Sequence, residues 1–223
     1  MRRAAAPAAL LLAAALAAAV AATVAALAPA RASEPDEIAF AIWRGDSRIG
    51  IHRLAFRLDG DTTIVETSID IEVKVLFITA HRHSQRRTET WKADRLLAYD
   101  GRTDDNGTIT TVTVRRTEAG LAVEGPAGRA MVAADTLLAS WWPEATVRQG
   151  RLIDAGDGAI LDVRIEDRGE DAIEAGGRTI RARRFHVTGG TEREVWYDAA
   201  DGTWAQLAFA GRDGSRIVYR RLP

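Results

Sequence analysis

The chain has no cysteine among its 223 residues, which excludes a disulfide framework, a thiolate zinc site, a thiol nucleophile and the cysteine that carries the acyl anchor of a bacterial lipoprotein. Aromatic residues are scarce at 6%, and proline appears only six times. Catalytic signatures are missing as well. There is no G-x-S-x-G elbow, no phosphate-cradling P-loop, no G-x-G-x-x-G after a strand and no H-E-x-x-H, so no catalytic residue, metal or cofactor is assigned from a motif. Beyond residue 32 no apolar run is long enough to span a membrane.

Charge is nearly balanced, at −1 overall. The first 32 residues hold three of the thirty basic residues (Arg2, Arg3, Arg31) and none of the thirty-one acidic ones, which leaves −4 on the remainder. A mildly acidic body has no electrostatic reason to bind a polyanion, so no nucleic-acid partner is expected.

What is present begins with a leader pattern. Arg2 and Arg3 precede an almost unbroken Ala, Leu and Val stretch from Ala4 to Ala28, and Ala30-Arg31-Ala32 supplies small residues around a cleavage point. These features predict a signal peptide over residues 1–32, cut before Ser33, and a periplasmic location. Alanine inserts into a bilayer less favourably than leucine or isoleucine, and Pro29 breaks the helix before the cleavage point. Contact with a membrane is therefore expected only through an uncut leader. The residues after the arginine pair are Ala4-Ala5-Ala6, without the bulky apolar follow-up of twin-arginine export. Residues 33–223 contain no linker, repeat or low-complexity tract and read as one β domain.

In that body the dominant period is two. Val65, Ile69, Ile71, Val73 and Val75 alternate with Asp70, Glu72 and Lys74, and Leu161, Val163 and Ile165 with Asp162, Arg164 and Glu166, as in strands with one wet face. Turn dipeptides punctuate the alternation: Asp59-Gly60, Asp100-Gly101, Asn106-Gly107, Asp157-Gly158, Gly176-Gly177, Gly189-Gly190, Asp201-Gly202 and Asp213-Gly214. Each tolerates the positive φ of a hairpin turn. The expectation is an all-β meander of about ten or more strands, large enough to curl strongly or form an open barrel. One short helix is expected from Asp135 through Leu137 and Leu138 to Trp142, stopped by Pro143.

Glu89-Thr90-Trp91, Arg95-Leu96-Leu97, Thr103 to Gly107, Glu194 to Asp198 and Asp213 to Tyr219 together resemble a family of uncharacterised exported proteobacterial proteins bearing a domain of unknown function. The C-terminal hairpins are also similar to lipoprotein-localisation proteins. That likeness implies a half-open antiparallel barrel around a helix, able to hold acyl chains.

Side chains two apart on a strand share a face, which groups His81, His83, Gln85, Arg87, Glu89 and Trp91. Two imidazoles and a carboxylate suit a metal or general acid and base chemistry, but the spacing lacks a second ligand motif, and no metal is assigned. Trp141-Trp142 ends the expected helix, where two indoles could rim the mouth of a barrel for an apolar ligand with a polar end. Asp104-Asp105-Asn106-Gly107 fails the alternate spacing of a calcium loop and reads as a hairpin turn. Arg178, Arg181, Arg183 and Arg184 face Glu170, Asp171 and Glu174 as a solvated charge ladder.

The ligand-contact residues expected on this basis are Trp141, Trp142, His81, His83, Glu89 and Trp91. The first functional reading is a non-enzymatic envelope protein that binds a lipid or other apolar small molecule in the concavity of the sheet. Two alternatives stand beside it: a hydrolase-like or metal-dependent enzyme built on the His81, His83 and Glu89 face, and a structural or partner-binding module with no small-molecule site.

Overall fold

In the computed structural model the described residues are 37–75 and 78–223; the expected leader, and the cleavage point before Ser33, lie outside them. The described chain is strand after strand. The first arm holds β1 (Glu37–Arg44), β2 (Ser47–Asp59), β3 (Thr62–Val75), β4 (Ile78–Lys92), β5 (Arg95–Asp105), β6 (Thr108–Thr117), β7 (Gly120–Gly125) and β8 (Gly128–Val132). The second holds β9 (Leu137–Leu138), β10 (Arg151–Ile153), β11 (Ile160–Ala175), β12 (Arg178–Gly189), β13 (Arg193–Asp198), β14 (Trp204–Ala210) and β15 (Arg216–Arg221).

All fifteen join one sheet in the order β8-β7-β6-β5-β4-β3-β2-β1-β15-β14-β13-β12-β11-β10-β9. Neighbours are antiparallel except β9 and β10, which run parallel. The sheet is not closed into a barrel: its edges are the five-residue β8 and the two-residue β9, short enough to offer little template for edge pairing. The all-β, curved antiparallel architecture read from the alternation is the one found.

Most of the turn dipeptides sit where expected. Asn106 (φ 52°) and Gly107 (φ 89°) make a two-residue turn with Asp105 opposite Thr108, the twist-matched hairpin connection. Asp100-Gly101 is a correction, because both residues lie inside β5. The Tyr99 ring lies along the strand over Gly101, where a Cβ would collide with it. That glycine serves a close approach and not a turn.

The expected helix over Asp135–Trp142 is a second correction. Leu137 and Leu138 form β9, and the only helical turn among the described residues is a 3₁₀ turn at Glu144–Arg148, after Pro143. Eight residues nucleate a helix poorly without tertiary support, and here the support favours extended chain: Leu137 and Leu138 pair with Leu152 and Ile153, and all four are buried. The stretch from Thr136 to Ala159 lines the inner face of the sheet. The Tyr99 hydroxyl donates to the Ala155 carbonyl, the Tyr197 hydroxyl donates to the Trp141 carbonyl at 2.8 Å, and the Ala127 N–H donates to the Asp157 carbonyl at 3.0 Å.

One main core results, shared by both arms and the lining segment, with Phe40, Leu54, Val65, Leu96, Leu121, Leu138, Ile153, Val187 and Trp204 all fully buried. A smaller cluster of Ala175, Ile180, Ala182, Trp196, Ala205 and Ala208 packs separately. On β3, Val65, Thr67 and Ile69 are buried, whereas Ile71 and Val73 are half-buried. The alternation therefore marks the face while burial fades towards the strand end. The charge ladder on β11 and β12 is present as Arg181–Glu170, Arg183–Asp167 and Arg184–Asp171, with Arg178 paired instead to the buried Asp198.

Ile69→Asp should destabilise the protein by about 3 kcal/mol or more through an unpaired buried charge, Ile71→Asp by less, and Glu66→Ala by roughly half a kcal/mol or less. Urea denaturation of the three variants measures the order.

Candidate functional site

Strand β4 builds the site. Its outward residues Arg82 and Arg86 pair with Glu72 and Asp70, while Gln85, Glu89 and Trp91 are buried and His83 and Arg87 half-buried on the inner side. The face grouped by sequence is real, but it serves three different places along the strand. Six residues of strand separate His83 from Glu89, about 20 Å, so the histidine pair and Glu89 do not act on one ligand atom.

At the outer end, His81 and His83 stack with ring centroids 6.4 Å apart. Their carboxylate is Asp105 of β5, with its Oδ1 3.2 Å from His81 Nε2 and 3.5 Å from His83 Nδ1. The three could hold a cation by residue type. The hydrogen bonds around them oppose it. Asn106 Oδ1 accepts from the Arg82 N–H at 2.8 Å, which turns the amide NH₂ towards His81 Nδ1, also at 2.8 Å. A neutral His81 ring assigned from that network carries its proton on Nε2, facing Asp105. Ligation through Nε2 would need a proton on Nδ1 and an acceptor beyond it, where the amide presents hydrogens.

In the middle, a cavity of about 200 Å³ lies between the inner faces of β2 to β4 and of β14 and β15, under the segment carrying Ser140, Trp141 and Asp154. His52 lines it together with His83, and its ring sits within 6 Å of the Phe40, Trp204 and Tyr219 rings. Both ring nitrogens of His52 are buried and, among the described residues, without a hydrogen-bond partner. Burial, then the Arg87 charge, holds its pKa well below the ordinary 6.5. The ring is thus kept neutral, and its contribution to stability is lost as the pH falls below about 6.5. His186 points elsewhere, towards Arg168 and Glu192.

At the inner end, Glu89 is fully buried, and its Oε2 accepts from both indole N–H groups, Trp91 and Trp142, each at 3.0 Å. Oε1 has no partner. Burial pushes the carboxyl pKa above 4.5, against the pull of Trp142, Trp91, the nearby Ser140 and Arg87. The indoles meet edge to face at 5.4 Å, and Phe56 packs on Trp142 at 5.3 Å. Beside them opens a cleft of about 310 Å³ walled by Ile38, Phe56, Trp91, Leu137, Trp142 and Trp204, with Asp94, Glu144 and Asp201 also lining it.

Trp141 and Trp142 therefore part company. Trp141 is buried in the lining segment at φ 67°, a left-handed conformation that is strained for a bulky residue and persists only when surrounding contacts fix it. Trp142 borders the aromatic cleft. Sequence reasoning did not place His52, Asp154 or Arg193 at the site, since they reach it from other strands and from the lining segment. Of the residues lining the middle cavity, His83, Gln85 and Arg87 were legible by their period on β4, and Trp141 by its place beside Trp142.

The fold and its interior define a class: an open, barrel-like antiparallel β domain whose concave face is covered by its own chain, leaving small polar and aromatic hollows. Residues 40–222 match the family model of the domain of unknown function DUF6134, and the chain belongs to that family. No curated protein matches it. A crystal structure of a β-barrel-like protein of domain of unknown function DUF1849 from Brucella abortus is similar in fold. The two align with a TM-score of 0.58 at 8% identity over 83% of this chain and 94% of that one. A DUF1089 family protein from Pseudomonas aeruginosa aligns over 78% of this chain and 90% of its own at 13% identity, with a TM-score of only 0.31.

Glu89→Gln keeps an acceptor for both indoles and removes the titration. Because the folded carboxyl binds its proton more tightly than the unfolded one, wild-type stability should fall relative to the variant as the pH rises above 4.5. Denaturant titrations across a pH series measure the difference, and a constant offset would contradict it.

Proposed function

We propose that this is an exported periplasmic protein, freed of its leader before Ser33, that binds a small amphipathic molecule inside its curved sheet and carries out no chemistry on it. The observation that carries this reading is the aromatic cleft at Trp91, Trp142, Trp204 and Phe56, with the Glu89 carboxylate directly behind the two indole N–H groups. Apolar walls with a few fixed polar groups are what a small-molecule site needs. The sequence likeness to lipoprotein-localisation proteins supports the same kind of ligand.

The size of the hollow narrows the choice. At about 310 Å³ it lies at the lower end of the roughly 300–1,000 Å³ of small-molecule sites, which suits a single short chain better than a two-chain lipid. The enzyme reading loses support because Glu89 stands far along the strand from His81 and His83. A partner-binding module without a ligand is favoured by one observation, the degree to which the segment from Thr136 to Ala159 fills the concavity.

Titration of the mature protein with fatty acids of graded chain length should shift tryptophan fluorescence saturably, with short chains binding best. Trp142→Ala and Phe56→Ala should each weaken binding more than tenfold. Saturating ligand without a spectral change or thermal stabilisation would move the partner-binding module to first place. N-terminal sequencing of protein from the native periplasm should begin at Ser33; membrane-bound protein beginning at Met1 would contradict export with cleavage.

A further inference from the structure

The cavity at the middle of β4 has a chemical character unlike the aromatic cleft. Two guanidinium groups line it, Arg87 from β4 and Arg193 from β13. Both residues are only partly exposed, and among the described residues neither makes an ion pair. Their partners are neutral. Arg87 donates to the Gln85 side-chain oxygen, and Gln85 in turn donates to the Thr103 hydroxyl at 3.1 Å. Arg193 donates to the Glu192 carbonyl at 2.7 Å and lies over the Phe209 ring at 4.3 Å. These contacts hold the two cations in place without neutralising them.

Buried cations without a counter-charge are costly, and proteins ordinarily pair them. Elsewhere in this molecule arginine after arginine is matched to a carboxylate on the neighbouring strand. The one carboxylate lining the cavity is Asp154, whose Oδ1 is taken by the N–H groups of Gly156 at 2.7 Å and Asp157 at 3.2 Å. Among the described residues further polar atoms there have no hydrogen-bond partner: both nitrogens of His52 and Nε of Arg87, with His52 at least nine-tenths buried. Buried polar groups that stay unpaired in a folded protein call for a missing partner.

We propose that this cavity binds a small monocarboxylate, its carboxylate held between Arg87 and Arg193 and its apolar part against Trp141, Phe209 and Tyr219. Charge selects the class. Among the groups lining the cavity, two guanidinium groups against Asp154 leave one positive charge, with the Glu89 carboxyl behind Arg87 pushed by burial towards its neutral form; a monoanion balances that charge, whereas a phosphate dianion would leave an excess negative charge in a poorly solvated space. Guanidinium forks fit a carboxylate by paired hydrogen bonds, and a volume of about 200 Å³ admits only a small molecule. The site does not depend on the aromatic cleft being occupied.

The test uses the mature full-length protein at constant ionic strength, with sodium chloride as the reference salt. Acetate, propionate, butyrate and inorganic phosphate are titrated by calorimetry and by thermal unfolding. At least one monocarboxylate should bind saturably and raise the Tm, while phosphate gives no more than chloride. Arg87→Gln and Arg193→Gln should each weaken that binding at least tenfold. Both should unfold no earlier than wild type in ligand-free buffer, because each removes a half-buried charge that has no ion-pair partner among the described residues. If one variant fails to fold, the other decides. Absence of saturable binding by any monocarboxylate, binding unaffected by the folded variants, or phosphate binding while the carboxylates stay silent would each overturn the assignment.

Discussion

An open sheet with an apolar concave face must cover that face, and the segment from Thr136 to Ala159 does so here. Everything inside depends on how a non-helical stretch survives burial. Its backbone polar groups cannot be left unpaired away from water, so partners arrive from three directions. Internal bonds such as Ala139 N–H to the Ile153 carbonyl and Asp154 N–H to the Ala159 carbonyl satisfy part of it. Two tyrosine hydroxyls, one from each arm, reach across to the Ala155 and Trp141 carbonyls. Those tyrosines are both fully buried, and each ties an arm of the sheet to the same stretch of chain.

The polar content of the interior follows from the same arrangement. Hollows lie beside the covering segment, and buried polar side chains gather at them: His52, Gln85 and Ser140 at the middle cavity, and Glu89 behind the indoles of the aromatic cleft. Glu89 is tolerated because two indoles donate to it; His52 is tolerated because it stays neutral. The arginines at the cavity lack a comparable solution within the chain, which separates them from the many arginines of the outer surface whose strand-to-strand pairs are open to solvent and contribute little each.

Legibility in the sequence followed the range of the interaction. A period of two is a local property, so the strands and the inner face of β4 could be read residue by residue. Hairpin turns are local too, and Asn106-Gly107 and Gly176-Gly177 stand where their dipeptides say. Asp100-Gly101 misled because the reason for that glycine is the Tyr99 ring, whose position depends on a carbonyl 56 residues away. Leu137, Leu138, Trp141 and Trp142 have a spacing compatible with a helix, but pairing with Leu152 and Ile153 decided their conformation. The replacement of Glu89 by Asp105 beside the histidines has the same origin: the register between β4 and β5 sets His83 opposite Asp105, and register is a tertiary fact.

The place of β1 in the sheet has a further consequence. Nearly every strand pairs with its sequence neighbour, so each arm can zip up hairpin by hairpin. The junction is different: β1 lies against β15, with Phe40 opposite Arg221 and Arg44 opposite Ile217. That seam is fastened by Arg44 Nε donating to the Ser215 hydroxyl at 3.0 Å and by Leu222 N–H donating to the Ala39 carbonyl at 2.8 Å. One side of β1 stays unsatisfied until β15 is in place. The loop closed by that pairing takes in the thirteen strands from β2 to β14, and its entropic cost falls on the closing step. Until then β1 is an exposed edge in what becomes the middle of the sheet, and the joining of the two arms rests on β15.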